Sequence, residues 1–216
     1  MKKINACIFD MDGVLVSTEK YHFLAWRRLA ETLGFTIDEE FNEQLKGVSR
    51  AVCIRLLLEY AGIHKSEAEK NELAQQKNEW YLEYISSIGP QDLLPGVLDF
   101  MNELQKHSIK MAVGSASKNA ALLLKKLEIV HYFTAIVDGT QIEHPKPDPE
   151  VFLKGAEKMK VSPSDCVVFE DAQSGVQAAK SAGMYCVGIG DKKILSQADI
   201  CVSGVHAISY NDIAYV

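Results

Sequence analysis

Apolar residues gather in five short runs along the chain, NACIFD, IKMAVGSAS, FTAIVDG, DCVVFED and YCVGIG, with a weaker sixth at ADICVSG. Each is bounded by turn residues and is nearly continuous rather than alternating, the pattern of strands buried on both faces of a parallel sheet. Between these runs, PGVLDFMNELQKH, KNAALLLKKLE, PDPEVFLKGAEKMK and AQSGVQAAKSAG carry apolar residues at helical spacing. From about residue 95 onward strand and helix therefore alternate, which predicts a doubly wound α/β domain.

The segment after the first strand breaks this rhythm. YHFLAWRRLAETLG, DEEFNEQLKG, RAVCIRLLLEYAG and SEAEKNELAQQKNEWYLEYIS are helical patterns with no strand among them. A parallel crossover needs only one helix, so these helices are surplus to building the sheet. They predict an inserted α-helical cap domain, residues 17–88, within a core made of 1–16 and 89–216. Ligands in open α/β sheets bind at the carboxyl ends of strands, and the insertion is expected to lie over the acidic residues that end strand one.

Composition narrows the partners. Of 216 residues, 47% are hydrophobic and 24% charged, ordinary values for a globular protein. A formal net charge of −6, spread along the chain, disfavours nucleic acid and anionic membrane surfaces. MKKINACIFD reaches an acid too early for a signal peptide, and no apolar stretch is long enough for a membrane span. A cytoplasmic, monomeric protein is expected. The five cysteines show no C-x-x-C spacing and are read as reduced and structural.

Two aspartates, Asp10 and Asp12, end the first apolar run and precede Gly13. Side chains two apart in extended backbone point the same way, so both can address one site. A second acidic pair, Glu170 and Asp171, ends DCVVFED. If those strands are neighbours, the carboxylates converge and need a proton or a cation to offset them. All-oxygen donors suit a hard cation, and Mg²⁺ is expected. The plainer alternative for Glu170 and Asp171 is a cap on the following helix, and the metal-ligand reading is favoured over it. GSASKN puts Ser115, Ala116 and Ser117 at an expected helix N-terminus, where hydroxyls and N–H groups can cradle phosphate. Lys146, framed by prolines in HPKPDPE, can neutralise charge on a transferring phosphoryl group.

In this order, DMDGV at 10–14, Ser115, Lys146 and the pair 170–171 resemble the haloacid dehalogenase superfamily, with its Rossmann-like core. The resemblance implies that Asp10 is the nucleophile that takes the phosphoryl group and Asp12 the general acid/base. It also implies that Mg²⁺ is held by Asp10, the Asp12 carbonyl, Glu170 and Asp171. A carboxylate cannot attack an anionic phosphate until positive charge reduces their repulsion. Proton transfer by a second carboxylate contributes on the order of 10²–10⁴ in rate.

Within the superfamily, TEKYHFLAW, FNEQLKGVSR, GSASKN and the KN pair at 77–78 resemble the β-phosphoglucomutases. That resemblance implies interconversion of β-D-glucose 1-phosphate and glucose 6-phosphate through an aspartyl phosphate and β-glucose 1,6-bisphosphate. It implies that Arg50 grips the distal phosphate, a task suited to its planar fork. Lys46, Gly47, Val48, Ser49, Lys77 and Asn119 would line the sugar and distal-phosphate pocket, with Trp26 as an apolar wall. Thr18 and His22 would couple cap closure to Asp12. Plainer readings stay open: Thr18 as an N-cap, His22 and Trp26 as packing, Lys77 on a solvated helix face. Where relatives often carry an acid before the threonine, this chain has Ser17, and Gly114 precedes the phosphate serine. The alternatives are a sugar-phosphate phosphatase on the same scaffold and a receiver-like, non-enzymatic phospho-acceptor, against which the helical insertion argues.

Overall fold

The run ACIF forms β1 (Ala6–Phe9), and all four of its residues are buried in the computed structural model, which describes residues 2–216. Five further strands follow: β2 (Lys110–Gly114), β3 (Ala135–Val137), β4 (Cys166–Glu170), β5 (Tyr185–Ile189) and β6 (Ile200–Val202). They form one sheet in the order β3-β2-β1-β4-β5-β6, with every pair parallel. The six apolar runs are these six strands. Strand order reverses between β1 and β4, the topological switch point at which doubly wound sheets bind ligands. Register aligns Phe9 with Phe169, so Asp10 and Glu170 leave the same edge side by side.

Phe9 stacks on Phe169 at 4.8 Å, and Phe100 meets both rings edge-on. Phe100 comes from α5 (Val97–Lys106). Alternation along the strands turns Ile8 and Val168 to the opposite face. There they join a second cluster with Phe152, Ala156, Met159, Val176 and Ala179. These belong to α7 (Glu150–Met159) and α8 (Gln173–Ser181), while α6 (Ala120–Lys126) follows β2. A final short helix, α9 (Tyr210–Ile213), and the backbone pairing of Lys2 with Val216 were not legible as apolar runs. All five cysteines are free, and four are buried.

The chain divides into two compact units, one running through Ser17 and from Ile88 to Val216, the other Thr18–Ser87. The second contains only helices: α1 (Glu19–Thr32), α2 (Glu39–Glu43), α3 (Arg50–Ala61) and α4 (Glu67–Tyr84). Local chemistry sets their starts. Asp38 and Ser49 accept backbone N–H groups from Phe41 and Val52, and Ser66 forms a reciprocal capping box with Glu69. Trp26, Leu29, Phe41, Ile54, Leu57 and Leu58 build a separate core for this unit.

Candidate active site

Asp10 continues the ladder beyond β1, its N–H donating to the Phe169 carbonyl at 2.9 Å. Glu170 is the last residue of β4. Between them lies the Lys146 ammonium, 2.5 Å from Asp10 Oδ1 and 2.6 Å from Glu170 Oε1. All three are buried, with relative exposures of 5%, 1% and 0% for Asp10, Lys146 and Glu170. The other Glu170 oxygen accepts the Ala172 N–H at 2.9 Å. Lys146 projects from the β3–α7 connection between Pro145 and Pro147, with a cis bond to Pro147, and its ammonium lies 4.8 Å over the Phe152 ring.

Two carboxylates and one ammonium in a buried place leave a formal excess of one negative charge. Burial by itself would lower the Lys146 ammonium, but the Asp10 and Glu170 carboxylates override it and hold Lys146 above the ordinary lysine value. Burial pushes the Glu170 carboxyl up; Lys146 opposes that and Asp10 adds to it, with a net upward shift. The site is therefore short of positive charge even with its lysine in place. Asp12 lies half-buried in the turn after β1, where Gly13 takes a left-handed φ of 78°. Asp171 is half-buried between β4 and α8.

One expectation needs correction. Ser115, Ala116 and Ser117 do not open a helix; α6 begins only at Ala120, with Asn119 as its N-cap. Ser115 Oγ accepts the Ser117 N–H at 3.1 Å, and Ser117 Oγ accepts the Asn119 N–H at 3.2 Å. These two successive side-chain turns compete with the first helical turn and keep the segment a loop. The loop is tied to β3, since Ser115 N–H donates to Val137 O at 3.0 Å and Gly139 N–H to Ser117 O at 3.3 Å. A Cβ on Gly139 would lie 2.3 Å from the Ala116 carbonyl oxygen, so only glycine permits this approach. A further buried acid on the same sheet edge, Asp138, accepts from Thr140 N–H and Oγ1 at 2.9 and 2.5 Å. Its signal was the acid closing FTAIVDG, the same cue that marked Asp10.

The helical unit has its own polar cluster. Lys77 is 2% exposed, so the solvated-face reading of this residue is wrong. Its Nζ lies 2.9 Å from His22 Nδ1, 4.3 Å over the Trp26 ring and 4.9 Å over Tyr81. The two aromatic faces offset part of the cost of burying that cation. Burial, followed by the Lys77 and Arg50 charges, holds His22 well below its usual range, so the imidazole is neutral. Arg50, the first residue of α3, donates to Asn78 Oδ1 at 2.6 Å. Lys46 pairs with Glu43 at 2.8 Å and Glu19 at 3.5 Å. Gly47 takes a positive φ of 69°, Val48 packs on the helical core, Ser49 caps α3 and Thr18 is the N-cap of α1. Trp26 is part of the core beneath Lys77.

Among the described residues, no three or more of His, Cys, Asp and Glu are grouped to hold a metal ion. Two carboxylates, Asp10 and Glu170, do converge, and a cation, the Lys146 ammonium, already lies between them. The donors are hard oxygens and the local charge is negative, a chemistry that fits Mg²⁺. Nor is any helix among the described residues long and apolar enough to cross a membrane.

The sequence pattern of the family "haloacid dehalogenase-like hydrolase" matches residues 7–189. The chain is 43% identical to a β-phosphoglucomutase of Bacillus subtilis over 201 residues, 92% of this chain and 89% of the relative. It is 36% identical to a phosphorylated carbohydrates phosphatase of Thermotoga maritima, covering 90% and 91% of the two chains. The crystal structure of a β-phosphoglucomutase from Clostridium difficile superimposes with a TM-score of 0.94 at 39% identity, covering 97% of this chain and 95% of that one. This homology implies a Mg²⁺-dependent enzymatic mechanism. With Asp10 and Glu170 on neighbouring parallel strands, a lysine between them and a family pattern spanning most of its length, the chain belongs to the haloacid dehalogenase-like hydrolases.

Proposed function

We infer that the protein is a phosphotransferase that interconverts β-D-glucose 1-phosphate and glucose 6-phosphate. The observation that carries this reading is the buried Asp10–Lys146–Glu170 bridge at the switch point of the sheet, in a chain 43% identical to a β-phosphoglucomutase over 92% of its length.

Asp10 is assigned as nucleophile. One of its oxygens bonds to phosphorus, the bond from phosphorus to the sugar oxygen breaks, and Asp12 delivers a proton to that leaving oxygen. In the reverse sense Asp12 takes the proton from the other sugar hydroxyl as it attacks the aspartyl phosphate. β-Glucose 1,6-bisphosphate is the species common to both half-reactions. Lys146, already held against Asp10, lowers the repulsion that an incoming phosphate meets. The hydroxyls of Ser115 and Ser117, at the carboxyl end of β2, are assigned as donors to the phosphate, the N–H groups of both residues being bonded to Val137 O and Ser115 Oγ. Asp10, the Asp12 carbonyl, Glu170 and Asp171 are assigned to Mg²⁺, which would supply the remaining positive charge for the transferring group.

The helical unit is assigned as the cap. Its Arg50 is the cation given to the non-transferring phosphate, with Lys46, Gly47, Val48, Ser49, Lys77 and Asn119 assigned to the lining around the sugar and that phosphate. Thr18 and His22 are assigned to coupling the cap with Asp12. A second reading, sugar-phosphate phosphatase, is favoured by the 36% identity to the Thermotoga maritima phosphatase.

A coupled assay of β- and α-glucose 1-phosphate, with inorganic phosphate measured in parallel, separates the readings. The mutase converts only the β anomer, needs a trace of bisphosphate and releases little phosphate. Arg50→Ala is expected to lose isomerisation while acetyl phosphate still labels Asp10. Stoichiometric phosphate release from glucose 6-phosphate selects the phosphatase. Equal turnover of β-glucose 1-phosphate by Arg50→Ala removes the mutase assignment.

A further inference from the structure

We propose that Gly175 is a positioning residue for the Glu170 carboxylate, and through it for Lys146 and Asp10. This rests on the reading of Glu170 given under the proposed function. Gly175 is the third residue of α8 and is buried. Glycine weakens a helix interior relative to alanine, so its presence there calls for a reason. Backbone conformation is not that reason, because Gly175 is not among the positive-φ glycines. Space is. A Cβ at position 175 would lie 1.7 Å from Glu170 Oε1, 1.9 Å from its Cδ and 2.4 Å from Oε2. The carboxylate fills the volume that any side chain at 175 would occupy.

That carboxylate has little freedom to retreat. Lys146 holds one oxygen at 2.6 Å and the Ala172 N–H holds the other at 2.9 Å, in a place with no solvent exposure. Gly155 in α7 offers a contrast, since a Cβ there would meet Ile8 Cδ1 at 3.4 Å, an ordinary packing distance. At 175 an alanine must expel the carboxylate from its slot and break its bond to Lys146, to Ala172 or to both; where the first breaks, Lys146 is left with Asp10 alone. The missing side chain thus fixes where one of the acids points.

The test is a double-mutant cycle on the full chain: wild type, Gly175→Ala, Glu170→Ala and the double variant. In metal-free buffer, Gly175→Ala is expected to lower the melting temperature of the wild type by at least about 4 °C. In the Glu170→Ala background it is expected to leave melting unchanged or raise it, because the slot is empty and alanine favours helix. Calorimetric titration with Mg²⁺ alone should show about 10–100-fold weaker binding for Gly175→Ala, with no further loss in the double variant. In turnover, kcat should fall about 100-fold for a displacement of this size, with KM little changed. An equal cost in both backgrounds, or no cost in the wild type, overturns the proposal. Should Gly175→Ala fail to fold, the double variant decides: folding like Glu170→Ala supports it, and failure to fold overturns it. Melting and Mg²⁺ binding need no sugar phosphate, so a wild type inactive on glucose phosphates refutes the functional reading and leaves these arms intact.

Discussion

Replacing Lys146 by methionine keeps an unbranched side chain of similar length and removes the charge that lies over Phe152 and joins Asp10 to Glu170. At an effective dielectric constant of about 20, each contact at 2.5–2.6 Å corresponds to roughly 6 kcal/mol of attraction. Desolvating the ammonium offsets most of that gain, and removing one partner of a buried pair costs about 3–5 kcal/mol overall. The cost has a pH dependence with a definite sign. Burial raises the Glu170 carboxyl and Lys146 opposes the rise, so the variant's Glu170 is raised further. A carboxyl whose folded value lies above its unfolded value of about 4.3 binds more protons when folded. Its stabilising protonation is complete below the unfolded value and is lost as pH rises through the folded one, at about 1.4 kcal/mol per pH unit. Lys146→Met should therefore cost about 3–5 kcal/mol near pH 8 and distinctly less near pH 5. Urea unfolding of both proteins in EDTA at the two pH values measures this. A loss below about 1 kcal/mol at pH 8, or one that does not shrink at pH 5, refutes the claim that Lys146 neutralises buried charge.

Gly139→Ala forces a Cβ to within 2.3 Å of the Ala116 carbonyl, a backbone atom that cannot swing aside; kcat should drop about 100-fold through displacement of the Ser115–Ser117 loop, and turnover equal to wild type would refute it. His22 is held neutral by burial and by Lys77 and Arg50, so folding is opposed as the unfolded histidine begins to bind protons below about pH 6.5. Stability should fall as pH drops through that range, and His22→Gln should flatten this acid limb in urea melts at about pH 7 and 5; parallel profiles would contradict the neutral imidazole. Ser66→Ala removes the capping box of α4 and should cost about 1 kcal/mol in chemical unfolding, with no change in Mg²⁺ binding by the core.

Periodicity and local chemistry made much of this protein legible from its residues. Apolar runs of strand length located all six strands, including the short β6, and helical spacing located α1 to α8. Ser49, Asp38 and Ser66 act on groups three residues away, so these helix starts are set by neighbours in the sequence. Asp10 and Glu170 stood out because an acid at the end of a buried strand is costly unless something meets it. The family followed from the order of those motifs along the chain.

What sequence order could not reveal was who meets whom. Lys146 and Asp10 are 136 residues apart, and nothing in HPKPDPE says that its lysine inserts between two particular acids. That depended on β1 pairing with β4 as well as β2, a choice among parallel partners that every apolar run permits alike. The same limit hid the burial of Lys77, whose aromatic partners Trp26 and Tyr81 come from two helices. It hid as well the close approach of Gly139 to the Ala116 carbonyl, which adds to the local hydroxyl-to-backbone turns in keeping the Ser115 segment a loop. Residues near in sequence set elements and caps because their energetics are local. Charge compensation and steric room depend on atoms brought together by the sheet, and only the folded chain decides them.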